Sequence, residues 1–260
     1  MYGRELKYSQ RLSRKGRMIY ALFGEIFPGY LIRHRVNRRY LKRHLGALPA
    51  TILEIGSANG ACAFWLSRNR SFSVDGIDID KGLVEDCEAI RAKMGRTNVR
   101  FICADAAAVP TQQSYDVVIS THVLEHVCDD VCMLAALYRS LKPGGLLFLQ
   151  VPFGDPHKAP RDVDADNGHV REGYSREDIV RKLESVGFEV VVASGGVGRI
   201  GRFAYGMATA VSRMSRGMNA GVLVFPLTYS LIALENLVSY CRTRPLAFEH
   251  SPFVVAGKPL

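Results

Sequence analysis

At 260 residues with 48% hydrophobic content, the chain suffices for one α/β domain with additions and is apolar enough to bury a core. Its six cysteines, at 62, 87, 103, 128, 132 and 242, form no C-x-x-C pair and no Cys-His group of zinc spacing, so no structural metal is implied and reduced thiols are the expectation. The net charge of +9 sits at one end: residues 1–46 hold twelve Lys and Arg against Glu5 and Glu25, and the rest of the chain is near neutral. Such an arm points to an anionic partner (phospholipid headgroups, a pyrophosphate-linked substrate or nucleic acid) or to a solvated lid helix.

Residues 16–46 read as two helices broken at Pro28-Gly29. The first carries Ile19, Leu22, Phe23, Ile26 and Phe27 at helical spacing, and the second sets Ile32, Val36, Tyr40 and Leu41 against Arg33, Arg35, Arg38, Arg39, Lys42 and Arg43. A basic amphipathic helix suits a membrane surface or a position over a ligand cleft. The apolar stretch Met18 to Phe27 includes Glu25 and is followed by no small-residue cleavage site, so a cytoplasmic protein is expected.

From residue 51 strands and helices alternate. Strands are expected at 51–55, 72–77, 99–103, 115–120, 145–151, 187–193 and 252–258, with helices at 60–69, 82–93, 129–141 and 176–186. Alternation of this kind predicts an α/β fold, doubly wound around a mostly parallel sheet, with ligands beyond the carboxyl ends of the strands. The first strand runs into a turn with Gly56 and Gly60, and the second ends at Asp78. That order suits a nucleoside, because glycine lets the backbone approach a ligand and an acid about 20 residues on can accept hydrogen bonds from ribose hydroxyls. Cys128 and Cys132 fall four apart on a predicted helix, which predicts two buried thiols on one face.

Two segments interrupt the pattern. Residues 152–173 form a polar loop long enough to be functional. Residues 194–250 separate the last two strands and include an uncharged run, 217–234, preceded by Arg199, Arg202, Arg213 and Arg216. Leu227, Leu231, Leu234 and Val238 share one helical stripe there, so burial or an interfacial helix is expected rather than a span. The expected organisation is a basic helical arm (1–47), an α/β core (48–193), a helical apolar insertion (194–250) and a final core strand (251–260).

Five segments, LEIGSANG (53–60), GIDID (76–80), DAAAVP (105–110), VLEH (123–126) and LKPGG (141–145), lie in the order found in one family. In them the chain resembles the class I S-adenosylmethionine-dependent methyltransferases, in particular the small-molecule, ubiquinone-biosynthesis-like branch known as methyltransferase type 11. The resemblance covers about residues 50–193 and the closing strand. It implies a seven-stranded Rossmann-like sheet and S-adenosyl-L-methionine as cofactor. Carried over by motif, Glu54, Gly56, Ser57, Ala58 and Gly60 line the turn beneath the amino-acid and ribose portions, Asp78 with Ile79 takes the ribose, Asp105 with Ala106 meets the adenine, and Ser120 lies at the end of the fourth strand. One departure stands out: Ala58 occupies the family's middle glycine, and alanine tolerates positive φ poorly. Asp78 has a rival role as a helix N-cap.

His126 is the candidate general base, since a histidine pKa lies near working pH, with His122 and His169 in reserve and a purely structural hydrogen bond as the alternative. The expected activity is O-methylation of a small or lipid-linked acceptor, such as a sugar of a surface polysaccharide or glycolipid, with peripheral membrane contact. A quinone or another metabolite, RNA, or a non-catalytic cofactor-binding role are the alternatives. Nucleic acid is disfavoured, because Thr121-His122-Val123 stands where base-amine methylating enzymes carry Asn or Asp, two prolines and an aromatic. No metal is expected, and the sequence leaves the oligomeric state open.

Overall fold

The computed structural model describes residues 48–106, 109, 114–159, 168–195 and 252–260, with scattered helical positions within 18–45 and 200–234. The expectations for the basic arm, for most of the 194–250 insertion and for the centre of the 152–173 loop lie outside the described residues.

Seven strands form one sheet in the order β3-β2-β1-β4-β5-β7-β6. They are β1 (Ala50–Ile55), β2 (Phe72–Asp78), β3 (Val99–Cys103), β4 (Tyr115–Thr121), β5 (Leu141–Gln150), β6 (Glu189–Gly195) and β7 (Pro252–Gly257). Only β7 runs antiparallel, lying between β5 and β6, which it alone joins to the sheet. Among the described residues, α1 (Ala61–Leu66), α2 (Lys81–Lys93), α3 (Asp130–Ser140) and α4 (Arg176–Ser185) flank this sheet.

Period-two alternation divides each strand between two cores. Leu53, Ile55, Val118, Leu147 and Leu149 pack with Met133, Leu137, Ile179 and Leu183 of α3 and α4. On the opposite face Ile52, Val117, Ile119 and Phe148 pack with Cys62, Leu66, Cys87 and Ile90 of α1 and α2. Each such side chain contributes about 1.5–3 kcal/mol of burial, which explains the near-continuous apolar runs of strands covered on both faces.

Three helices start at side-chain caps, each worth about 1 kcal/mol. Asp80 accepts from the amides of Gly82 and Leu83 at the start of α2, Asp129 from Cys132 before α3, and Ser175 from Asp178 before α4. The cap at α2 is therefore Asp80, which leaves Asp78 free of that role.

Two expectations are corrected. The 141–145 segment already pairs with the sheet, Leu141 opposite Tyr115, through a register shift before Val117. Gly144 at φ 74 and the Lys258 main chain, bonded to Gly144 and Gly145, hold the bulge. Cys128 and Cys132 are both exposed. Capping by Asp129 starts α3 after Cys128, and Met133, Leu134 and Leu137 take the inward face.

Candidate active site

The site assembles at the carboxyl ends of β1, β2 and β4. After Ile55 the chain turns through three left-handed residues, Gly56 (φ 69), Ala58 (φ 46) and Gly60 (φ 76). The amides of Gly56 and Ser57 both donate to Ile77 O, at 2.8 and 2.9 Å, which fastens the turn to the tip of β2. A Cβ on Gly56 would collide with the Val123 side chain, and one on Gly60 would lie 2.8 Å from Phe64 and 2.9 Å from Phe101. Glycine is thus required at both positions. Ala58 adopts the same left-handed conformation with a Cβ, at a cost of about 1–2 kcal/mol.

That cost is borne because the Ala58 amide donates to Asp78 Oδ2 at 2.7 Å. Asp78 Oδ1 accepts from the Asp80 amide at 2.9 Å. Burial pushes the Asp78 carboxyl above the usual carboxylate range, against the opposing pull of the Asp80 and Ala58 amides. Beyond β2, Ile79 is 72% exposed. The Ala104 amide donates to Asp78 O at 3.0 Å, which sets the exposed Asp105 and half-buried Ala106 beside the same strand end.

Beneath the turn lies Glu54. Burial pushes its carboxyl up to about 8; the Ala63 amide opposes this, the charge of Asp78 reinforces it, and a hydrogen bond with Cys62 opposes it. Its Oε2 is buried without a hydrogen-bond partner, as are Ser57 Oγ and Ser120 Oγ. A buried, unpartnered carboxylate oxygen next to a turn of left-handed glycines fits a ligand bearing a cationic group, which would satisfy it.

The end of β4 supplies the second half of the site. His122 is left-handed (φ 56), and Leu124–His126 form one 3₁₀ turn. The His122 Nδ1 lies 3.1 Å from Oε1 of the fully buried Glu125. Burial acts to raise the Glu125 carboxyl, but the His122 hydrogen bond and the charges of His122 and His126 prevail and hold it below the usual range. The His126 ring meets that of His169 edge-to-face, with centroids 4.6 Å apart. Donor atoms of Glu125, His126 and His169 all fall within 4.8 Å of one another.

The 168–174 segment is bonded firmly to this turn. Val170 N donates to Glu125 O at 2.9 Å, and Arg171 donates to the carbonyls of Leu124 and Cys128, both at 2.9 Å. The Tyr174 hydroxyl lies 3.0 Å from Asp130 Oδ2, and Lys182 and Arg171 reach the same carboxylate at 2.9 and 3.2 Å. Buried charges compensated in this way make a rigid support.

Of the residues expected from sequence, the structure gathers Glu54, Gly56, Ser57, Ala58, Gly60 and Asp78 at one turn. It joins His126 to His169 and turns His122 towards Glu125. Glu125 was not among the expected site residues. Its sequence signal was the Glu-His pair followed by a distant histidine in Asn167-Gly168-His169, which shows only when the loop folds back.

Residues 30–193 match the family model described as a methyltransferase domain. A probable S-adenosylmethionine-dependent methyltransferase of Mycolicibacterium smegmatis is 29% identical over 140 residues, 54% of this chain and 52% of that protein. A ubiquinone biosynthesis O-methyltransferase of Pseudomonas paraeruginosa is 30% identical over 116 residues, 44% of this chain and 49% of that protein. The chain thus spans about half the length of the curated relatives it matches. Among solved structures, the Haemonchus contortus phosphoethanolamine N-methyltransferase 2 with S-adenosyl-L-methionine superposes with a TM-score of 0.66 at 17% identity, covering 100% of this chain and 60% of that one. The [4+2]-cyclase SpnF gives 0.60 at 18% identity, covering 87% and 80%. At these identities the structures establish the shared fold.

Proposed function

Because this chain belongs to the methyltransferase-domain family, we propose that it moves a methyl group from S-adenosylmethionine to a hydroxyl oxygen of a small or lipid-linked acceptor, such as a sugar of a surface polysaccharide or glycolipid, at the cytoplasmic face of a membrane. When bound, the cofactor supplies an electrophilic methyl group on a positively charged sulfur. The observation that carries the reading is the contact between Gly56 and Val123, which brings the nucleoside-type turn against the segment bearing His122, Glu125 and His126.

In this reading Glu54 and Ser57 offer buried, unpartnered oxygens to the amino-acid end of the donor. Asp78 with Ile79 receives the ribose, Asp105 and Ala106 flank the base, and Gly56, Ala58, Gly60 and Ser120 shape the floor. Transfer demands a collinear approach, so fixing both reactants is the main catalytic task. His126 is the residue we assign to the acceptor's proton, with its ring held by contact with His169.

An oxygen acceptor is supported by the O-methyltransferases among the relatives. A membrane-proximal one is supported by the basic segment 1–46 and by exposed Leu227 and Leu234, at 54% and 47%. Among the described residues no helix is long and apolar enough to cross a membrane. At Ala58, the one departure from the family's turn, the amide still reaches Asp78.

The test is transfer of labelled methyl from S-adenosylmethionine by purified protein to fractionated extracts. Label in a lipid-linked saccharide fraction is expected. No transfer to lipid, sugar or quinone pools would overturn the reading.

A further inference from the structure

We infer that Glu125, His126 and His169 form a binding site for one divalent transition-metal cation of the zinc, manganese or cobalt class. Their donor atoms lie within 4.8 Å of one another. Ligands at about 2.1 Å in a tetrahedral arrangement on one ion stand about 3.4 Å apart. A contraction of at most about 1.4 Å in the widest pair, within reach of side-chain rotation, completes the cluster.

A second observation points the same way. Glu125 is fully buried and its Oε2 has no hydrogen-bond partner, while Oε1 is engaged by His122 Nδ1 at 3.1 Å. A buried carboxylate oxygen left bare is costly, and a cation would satisfy it. The His122 contact orients the carboxylate from behind, as the outer partners of metal ligands do. An edge-to-face aromatic pair accounts for His126 and His169 but leaves Oε2 unexplained.

The scaffold is rigid enough to hold a cation. Val170 N to Glu125 O and the two Arg171 bonds tie the segment bearing His169 to the turn bearing the other two ligands. Gly168, left-handed at φ 79, sits where a Cβ would come 3.8 Å from His126 Nδ1.

The donor set selects the ion. Two imidazoles and one carboxylate suit zinc, manganese, iron or cobalt, whereas magnesium and calcium favour all-oxygen cages. Three protein ligands leave positions open. As the acceptor side of a methyl-transfer site, and resting there on the function proposed above, an open position would take the acceptor hydroxyl and lower its pKa, releasing its proton to water. In the cation-loaded protein the lone pair of His126 is engaged as a ligand, and the ion does the acidifying.

The experiment uses the full chain, stripped with chelator and titrated with Co²⁺, followed by visible absorption and by Zn²⁺ competition. One equivalent giving a d–d band, bleached by Zn²⁺ and weakened about tenfold or more in both His169→Ala and Glu125→Gln, is the expected result. No stoichiometric band in folded wild-type protein, or a band unchanged in both variants, overturns the inference. Circular dichroism of each variant establishes folding, and Glu125→Gln nearly preserves shape should the His169 variant unfold. Calorimetry with S-adenosylhomocysteine on the same samples reads the donor site separately, so failure of the methyl-transfer reading and failure of the metal site are distinguishable.

Discussion

The main-chain N–H of Ala58 donates to Asp78 Oδ2 at 2.7 Å, across 20 residues of sequence. One carboxylate thus braces the turn after β1 while its other oxygen holds the Asp80 amide. Replacing Asp78 by Ala removes both the brace and the proposed ribose acceptor. Affinity for S-adenosylhomocysteine should fall about a hundredfold or more, since hydrogen bonds to a charged group are worth about 1.5–3 kcal/mol each. Calorimetry decides it: an unchanged Kd removes Asp78 from the ribose site.

Ala58 pays for a left-handed backbone that glycine adopts freely. Ala58→Gly relieves about 1–2 kcal/mol of strain and gives back about 0.4–1 kcal/mol through the looser unfolded chain. A net gain of about 0.5–1 kcal/mol should appear as a higher denaturant midpoint at unchanged slope. A loss of stability would mean that the alanine methyl packs usefully.

Glu54 gives the protein a pH dependence with a definite sign. Its folded carboxyl is raised to about 8 from an ordinary 4.5. Between those values the native state keeps a proton that the unfolded state has lost. The associated stability is present in full below about 4.5, falls as pH rises, and levels off above about 8. Glu54→Gln should flatten that slope in urea titrations. Donor binding near neutral pH should release a proton as a cationic group meets the carboxyl, giving calorimetric heats that scale with buffer ionisation enthalpy. Heats independent of the buffer would place the donor's charge elsewhere.

His126→Ala should leave S-adenosylhomocysteine affinity intact while lowering kcat by about 10²–10⁴-fold, whether the ring takes the acceptor's proton itself or holds the cation that acidifies the acceptor. Single-turnover kinetics with an identified acceptor makes the measurement. An undiminished rate would take the proton step away from this side chain.

The alternation of strands and helices was legible because both faces of the sheet are covered, so that apolar runs bounded by turns mark each strand. The Gly56–Gly60 turn was legible because its backbone conformations admit little but glycine. Even the position that breaks the pattern, Ala58, has the positive φ that the pattern requires. Proximity across the chain was not legible. His169 meets His126 because Val170 and Arg171 bond to main-chain atoms of 124–128, and backbone carbonyls leave no trace in residue type. Nor did spacing reveal that Cys128 and Cys132 are exposed: Asp129 caps α3 after Cys128, and Met133, Leu134 and Leu137 rather than Cys132 take its inward face.

The antiparallel placement of β7 governs the order in which the molecule can be completed. β6 touches the sheet only through β7, yet β7 emerges from synthesis long after it, beyond everything between Gly195 and Pro252. Until β7 arrives, the β5 rim is an open template and β6 has nowhere to dock, so a nascent or clipped chain lacking β7 presents two sticky borders to its neighbours.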